Sequence, residues 1–220
     1  MQNISKEDYL SIIYKSLASG NFIKPNTIAE KLSVSNAAVT DMLKKLDKDG
    51  YISYQKYKKI NLTKVGENYA KNIVRRHRIW EVFLNQIVGM PWGKVHEEAN
   101  RLEHSSSDEL INRLEEMLNF PDYDPHGDPI PSKEGKVPKI KNHRPLSELK
   151  EGESAEVVRV SDFDEKFLIY ISKIGIKLKE EIKMQEKRDF DNSMEIVVKG
   201  KHWNISNKLA QNVFVEVKKK

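Results

Sequence analysis

Apolar residues in the first third of the chain recur at helical spacing, and the gaps between runs fall on residues that start and stop helices. After Ser5, the positions Tyr9, Leu10, Ile12, Ile13, Tyr14 and Leu17 follow three- and four-residue intervals, and Gly20 closes the run. Pro25–Leu32 predicts a second, short helix, with the small Ala29 where another helix can cross closely. A turn at Ser33-Val34-Ser35 leads into a third helix over 36–49. Its Val39, Met42, Leu43 and Leu46 share one face, and Gly50 ends it. From Tyr51 to Leu62 the pattern changes to alternation, as a hairpin requires, with Lys56, Lys58 and Lys59 near its tip.

Two short helices joined by a tight turn and followed by a hairpin make a winged helix-turn-helix. The side chains that open the third helix (Ser35, Asn36, Ala37, Thr40 and Asp41) are small or polar and let it approach base edges. Lys44 and Lys45, with Lys56, Lys58 and Lys59 of the wing, are placed for phosphates, where they supply affinity without reading sequence. A winged helix used only for protein contacts is the competing reading of the same pattern.

Further along, a long helix is predicted from about residue 67 to Val88, a second over 95–104, and a third opening on a capping box of Ser106 with Glu109. Val95, Ala99 and Leu102 form the core stripe of the second; Leu110, Ile111, Leu114, Met117 and Leu118 are apolar in the third. Together these helices carry more apolar surface than one small bundle buries, which points to a homodimer. Residues 132–144 read as a polar linker. Beyond Pro145, strand-like runs (155–160, 181–185, 194–199, 212–217) surround a helix over 165–174 stopped by Gly175 and a helical turn over 207–211.

Charge sharpens this picture. Residues 1–66 hold 11 lysines and no arginine against 6 acidic residues, whereas the remainder balances 27 basic against 27 acidic side chains, so the net +5 lies in the predicted reading head. The chain has no cysteine, which excludes disulfides and thiolate metal sites. No apolar run reaches membrane-spanning length and no signal-peptide pattern opens the chain, so a cytoplasmic protein is expected.

Candidate chemistry lies in the middle. His77 and Glu81 are four apart on the long helix; on the next, His96, Asn100 and His104 recur every four residues, with Glu103 beside them. A single such pair is usually a surface salt bridge. Three of the six histidines, however, fall within residues 77–104, each with an oxygen donor at helical spacing. That concentration favours a divalent-metal site of imidazole and carboxylate. A metal-dependent hydrolase would also use such a cluster. The sequence shows neither a His-Glu-x-x-His motif nor a Gly-rich phosphate loop, and a hydrolase leaves the basic first third unexplained.

The runs Arg76-His77-Arg78…Glu81, Lys94-Val95-His96-Glu97-Glu98-Ala99…Leu102-Glu103-His104 and Ser107-Asp108 resemble the metal-binding helices of the diphtheria toxin repressor and manganese transport regulator family. The resemblance extends over nearly the whole chain. It implies a mainly α protein with a small β part: a winged helix-turn-helix (1–66), a helical dimerisation and metal-binding domain (67–131), a linker (132–144) and an SH3-like, FeoA-like β-barrel (145–220). It further implies a homodimer that binds an operator in double-stranded DNA and represses metal-uptake genes when a divalent ion is bound. By position, Asp8, Asn100, Glu103 and His104 are the implied ligands of a primary ion, and His77, Glu81 and His96 of an ancillary one. Asp124 and His126, in a segment that looks like the family's Cys-Pro-His-Gly, are further ancillary candidates, as is Asp162.

The chain also departs from the family. Asp8 stands where the manganese-responsive branch has aspartate and the iron-responsive branch methionine, so Mn²⁺ is expected, with Fe²⁺ the alternative. Asn100 stands where the family has cysteine or glutamate, and Ser11 where the two-manganese version has a carboxylate. A winged-helix regulator whose metal site Asn100 has disabled therefore stays open as a reading.

Overall fold

The structure is a computed structural model that describes residues 5–55, 59–139, 143–162 and 164–217. The chain forms two compact units, one of residues 1–77, 103–106 and 131–136, the other of residues 78–102, 107–130 and 137–220.

The first unit opens with α1 (Lys6–Ala18), α2 (Pro25–Leu32) and α3 (Asn36–Lys48). A capping box fixes the start of α1: the Glu7 amide donates to the Ser5 hydroxyl, and the Ser5 amide donates to Asp8 Oδ2 at 2.6 Å. Ser33 takes a left-handed turn at φ 54° to end α2, and the Ser35 hydroxyl caps α3 by accepting from the Ala38 amide. Leu10, Ile13, Ile28, Val39, Leu43 and Leu46 bury against one another, the stripe that the periodicity predicts.

The wing strands β1 (Ile52–Ser53) and β2 (Asn61–Leu62) pair antiparallel, Ile52 opposite Leu62. Lys56 and Lys58 lie outside the described residues. The wing base packs tightly on α4 (Lys64–Gln86): a Cβ on Gly66 would meet the Tyr51 carbonyl oxygen at 1.8 Å, so only glycine fits there.

In the second unit, α5 (Val95–Glu103) buries Val95 and Ala99 with Leu84, and α6 (Asp108–Met117) buries Ile111 and Leu114 with Ile79 and Val82. The cap of α6 is Ser107, whose hydroxyl accepts from the Leu110 amide; Ser106, the expected cap, is buried. The long helix also ends at Gln86, two residues before the expected Val88.

The C-terminal part carries β3 (Arg144–Pro145), β4 (Ser154–Val160), α7 (Glu165–Lys173), β5 (Glu181–Lys187), β6 (Met194–Val198), β7 (Lys201–Ile205), α8 (Asn207–Ala210) and β8 (Val213–Val217). The strands form one antiparallel sheet in the order β3-β8-β4-β5-β6-β7. It is the expected FeoA/SH3-like domain, but its end strands β3 and β7 do not pair among the described residues, so it is an open sheet and not a closed barrel. A bulge between Val157 and Arg159 turns both Val157 and Val160 into the core, although they are an odd three positions apart. At this bulge the 124–128 turn docks: the Val160 amide donates to the His126 carbonyl at 2.9 Å, and a Cβ on Gly127 would strike the Val158 carbonyl oxygen.

Candidate metal centres and DNA interface

The first cluster lies within the first unit. Asp8 sits on the first turn of α1, where Oδ2 is occupied by the capping box, leaving Oδ1 3.2 Å from His104 Nε2. Glu103, the last residue of α5, is buried; its Oε1 is 3.3 Å from the same His104 Nε2, and its Oε2 meets His77 Nδ1 at 2.6 Å. Ligand atoms of Asp8, Glu103 and His104 all lie within 4.8 Å of one another.

Cis ligands about 2.1 Å from a single ion stand about 3 Å apart, so these separations fit one small divalent cation. Three carboxylates crowd His104. Partial burial disfavours its charged form, but the hydrogen bond to Glu7 and the charges of Glu103, Asp8 and Glu7 outweigh that and raise its pKa above 6.5. An ion bound there displaces the proton that these carboxylates stabilise on the His104 ring. Asn100 lies half-buried on α5, three residues before Glu103.

A second cluster lies within the second unit, around Glu81 of α4. Its fully buried carboxylate places Oε1 3.1 Å from His96 Nδ1 of α5 and Oε2 3.8 Å from His126 Nδ1. Asp162, just past β4, is 3.6 Å from His96 Nδ1, and ligand atoms of Glu81, His126 and Asp162 lie within 4.8 Å of one another. The His126 ring stacks on Trp92 with centroids 5.5 Å apart. Burial lowers the His126 pKa, yet the hydrogen bond and charge of Glu81, with Asp124 and Asp162, carry it up to about 9.

Asp124 is occupied differently. Its Oδ1 accepts from the amides of His126 and Asp128, at 2.8 and 2.9 Å, and its Oδ2 faces Arg78 Nε at 3.4 Å. Burial first, then the nearby Asp128 and Glu81, pushes the Asp124 carboxyl up to about 7. His77 lies one turn before Glu81 on α4 and makes the buried contact with Glu103 described above.

At the start of α3, Ser35, Asn36, Ala37 and Asp41 are exposed and Thr40 is half-buried, its hydroxyl donating back to the Asn36 carbonyl. Lys44 and Lys45 are also exposed, and Lys59 of the wing lies over the Phe22 ring, 3.4 Å from its centroid. No described helix is long and apolar enough to cross a membrane.

Residues 3–60 match the family model described as the iron dependent repressor N-terminal DNA binding domain, and residues 63–132 its metal binding and dimerisation domain. Residues 144–217 match the FeoA domain. The HTH-type transcriptional regulator MntR of Lysinibacillus sphaericus (strain C3-41) is 35% identical over 125 residues, 57% of this chain and 89% of that protein. A solved manganese-dependent transcriptional repressor in complex with manganese superposes with a TM-score of 0.91 at 33% identity, covering 97% of this chain and 100% of that one. IdeR of T. acidophilum superposes with a TM-score of 0.81 at 27% identity, covering 99% and 100%.

The chain belongs to the diphtheria toxin repressor family.

It is therefore a metal-dependent, DNA-binding transcriptional repressor, and its family is one of regulators, not enzymes. Within that family frame, sequence reasoning overlooked Glu7, whose Oε2 meets His104 Nδ1 at 2.7 Å, and Tyr69, whose hydroxyl donates to Glu7 Oε1 at 2.8 Å. Glu7 is 97 residues from His104, and no local spacing could pair them. The one available signal was its place next to Asp8 in the first turn of α1.

Proposed function

We propose that the chain is a cytoplasmic homodimer that represses metal-uptake genes when Mn²⁺ is bound. The observation that carries this reading is the convergence of Asp8, from the helix that opens the DNA-reading domain, with Glu103 and His104 from the end of α5. Asn100 completes the primary set. His77 and Glu81, four apart on α4, hold a second ion together with His96 of α5, with His126 and Asp162 beside Glu81. Asp124 serves that site as the cap of the 124–128 turn. Only nitrogen and oxygen donors are present, which suits Mn²⁺ over thiophilic ions. The names of the relatives, an MntR and a manganese-dependent repressor, point the same way.

In domain terms, residues 1–66 read DNA, 67–131 dimerise and hold metal, 132–144 link, and 145–220 form the FeoA-like domain. Exposed Ile87, Val88, Leu110, Met117 and Phe120 in the second unit supply apolar surface for a second copy. When bound, the ion supplies the positive charge that lets Asp8 and Glu103 share one site without repulsion. Asp8 and Glu103 then hold α1 against the end of α5, the arrangement in which both recognition helices of a dimer meet successive major grooves. Ser35, Asn36, Ala37, Thr40 and Asp41 read bases; Lys44, Lys45, Lys56, Lys58 and Lys59 hold phosphates.

The test is fluorescence anisotropy of the protein on DNA from its own upstream region, at fixed salt, with chelator, with Mn²⁺ and with anaerobic Fe²⁺. Tightening with Mn²⁺ at lower free concentration than Fe²⁺ is expected. A stronger response to Fe²⁺ moves the chain to the iron-responsive branch. Equal affinity with chelator and with either ion overturns metal activation altogether.

A further inference from the structure

We infer that Glu7 is a positioning residue for the primary metal centre: it holds His104 in the ring orientation and tautomer that aim Nε2 at the ion. The inference rests on the reading of Asp8, Glu103 and His104 as metal ligands.

The two ring nitrogens of His104 have separate environments. Nε2 faces Asp8 Oδ1 and Glu103 Oε1, the two carboxylate oxygens of the candidate donor set. Among the described residues, Nδ1 faces Glu7 Oε2, at 2.7 Å. A neutral imidazole has one protonated and one free nitrogen, so a carboxylate that takes the Nδ1 proton in a hydrogen bond leaves the Nε2 lone pair for a cation. Partners of this kind fix the ring and raise ligand basicity.

Glu7 is itself anchored. Its other oxygen accepts from the Tyr69 hydroxyl at 2.8 Å. The Tyr69 ring packs against Tyr51 with centroids 5.3 Å apart, and Lys6 Nζ sits 4.8 Å from the centroid of each. Lys6 also donates to the Tyr51 hydroxyl at 3.3 Å. Both oxygens of Glu7 are thus engaged, one by the Tyr69 hydroxyl and the other by the His104 nitrogen that does not face the ion, and the chain of contacts ends at Tyr51, the residue that enters the wing. These groups all belong to the first compact unit.

The experiment uses the full-length protein with wild-type, Glu7→Ala, Glu7→Gln, Tyr69→Phe and His104→Ala chains. Mn²⁺ affinity and stoichiometry are measured by titration calorimetry. The His104 tautomer is read by long-range ¹H–¹⁵N NMR in the diamagnetic Cd²⁺-loaded protein and at alkaline pH in the metal-free protein. Glu7→Ala is expected to weaken Mn²⁺ binding roughly ten- to hundredfold at unchanged stoichiometry. It should also mix the His104 tautomers, with Glu7→Gln restoring much of both because its amide oxygen still accepts. Tyr69→Phe, which leaves α1 intact, should show a smaller loss in the same direction.

Unchanged affinity and tautomer in Glu7→Ala and Tyr69→Phe overturn the positioning role. Loss of one ion per subunit in Glu7→Ala overturns it differently, by making Glu7 a ligand. If wild type and His104→Ala bind Mn²⁺ alike, the metal-site reading fails first, and the positioning role falls with it.

Discussion

His77 and Glu103, 26 residues apart in sequence, meet in the interior, with Nδ1 2.6 Å from Oε2 and each side chain only 4% exposed. The contact uses one oxygen of Glu103 and leaves the other toward His104, so one histidine orients the carboxylate that serves another. Removing the His77 ring strands a buried carboxylate. His77→Ala is therefore expected to destabilise the metal-free protein by roughly 3 kcal/mol in urea unfolding. The same substitution should weaken binding of the primary ion, which calorimetry measures. An unchanged urea midpoint would show that the pair carries no stability.

The metal-free protein should lose stability as pH rises. The folded pKa of His126 is about 9 against 6.5 for the free imidazole, so its contribution is complete below 6.5 and disappears as pH climbs through about 9. Asp124, raised from 3.8 to about 7, acts with the same sign across a lower window, because its ionised form is the disfavoured one in the fold. Thermal melts of chelator-treated protein from pH 6.5 to 9 are expected to show a falling Tm, and His126→Gln should flatten the upper part of that fall.

Much of this was legible in the sequence. The helix-turn-helix followed from the spacing of Leu10, Ile13, Val39, Leu43 and Leu46 and from the turn residues between them, because burial and capping act locally. His77, Glu81, His96 and Glu103 stood out because helical spacing places such residues on common faces. What escaped depends on contacts across the chain or on weak local patterns. β7 was missed because Lys201, His202 and Asn204 of this edge strand are exposed or nearly so and give no apolar alternation. β3 is two residues long and includes Pro145, tolerable only on an edge where no amide is needed. Asp124 stands out in the sequence beside His126, but its hydrogen bonds to the turn amides appear only in three dimensions.

In the proposed primary set Asn100 is the one neutral oxygen donor, and a carboxylate in its place should hold a divalent ion more tightly. Asn100→Glu is expected to tighten Mn²⁺ binding about tenfold, equivalent to about 1.4 kcal/mol. Titration calorimetry gives the answer directly. An affinity equal to that of wild type would place residue 100 outside the donor set.

The exposed lysines of α3 should act through phosphates. Lys45→Ala is expected to weaken binding to specific and unrelated DNA alike and to lower the salt slope by about 1 for each phosphate contact removed. Substitution of Asn36 should instead change the preferred operator at one or two base pairs. Anisotropy titrations over a range of salt separate the two. A Lys45 effect confined to the specific operator would assign it to base reading.

The most direct test of the account compares wild type with His104→Ala and Glu103→Ala in operator-binding titrations, each with chelator and with saturating Mn²⁺. Mn²⁺ is expected to tighten wild-type binding strongly, whereas both variants bind with the chelator-treated affinity whether or not Mn²⁺ is present. A normal Mn²⁺ response in either variant would contradict it, because the switch would then lie outside the cluster of Asp8, Glu103 and His104.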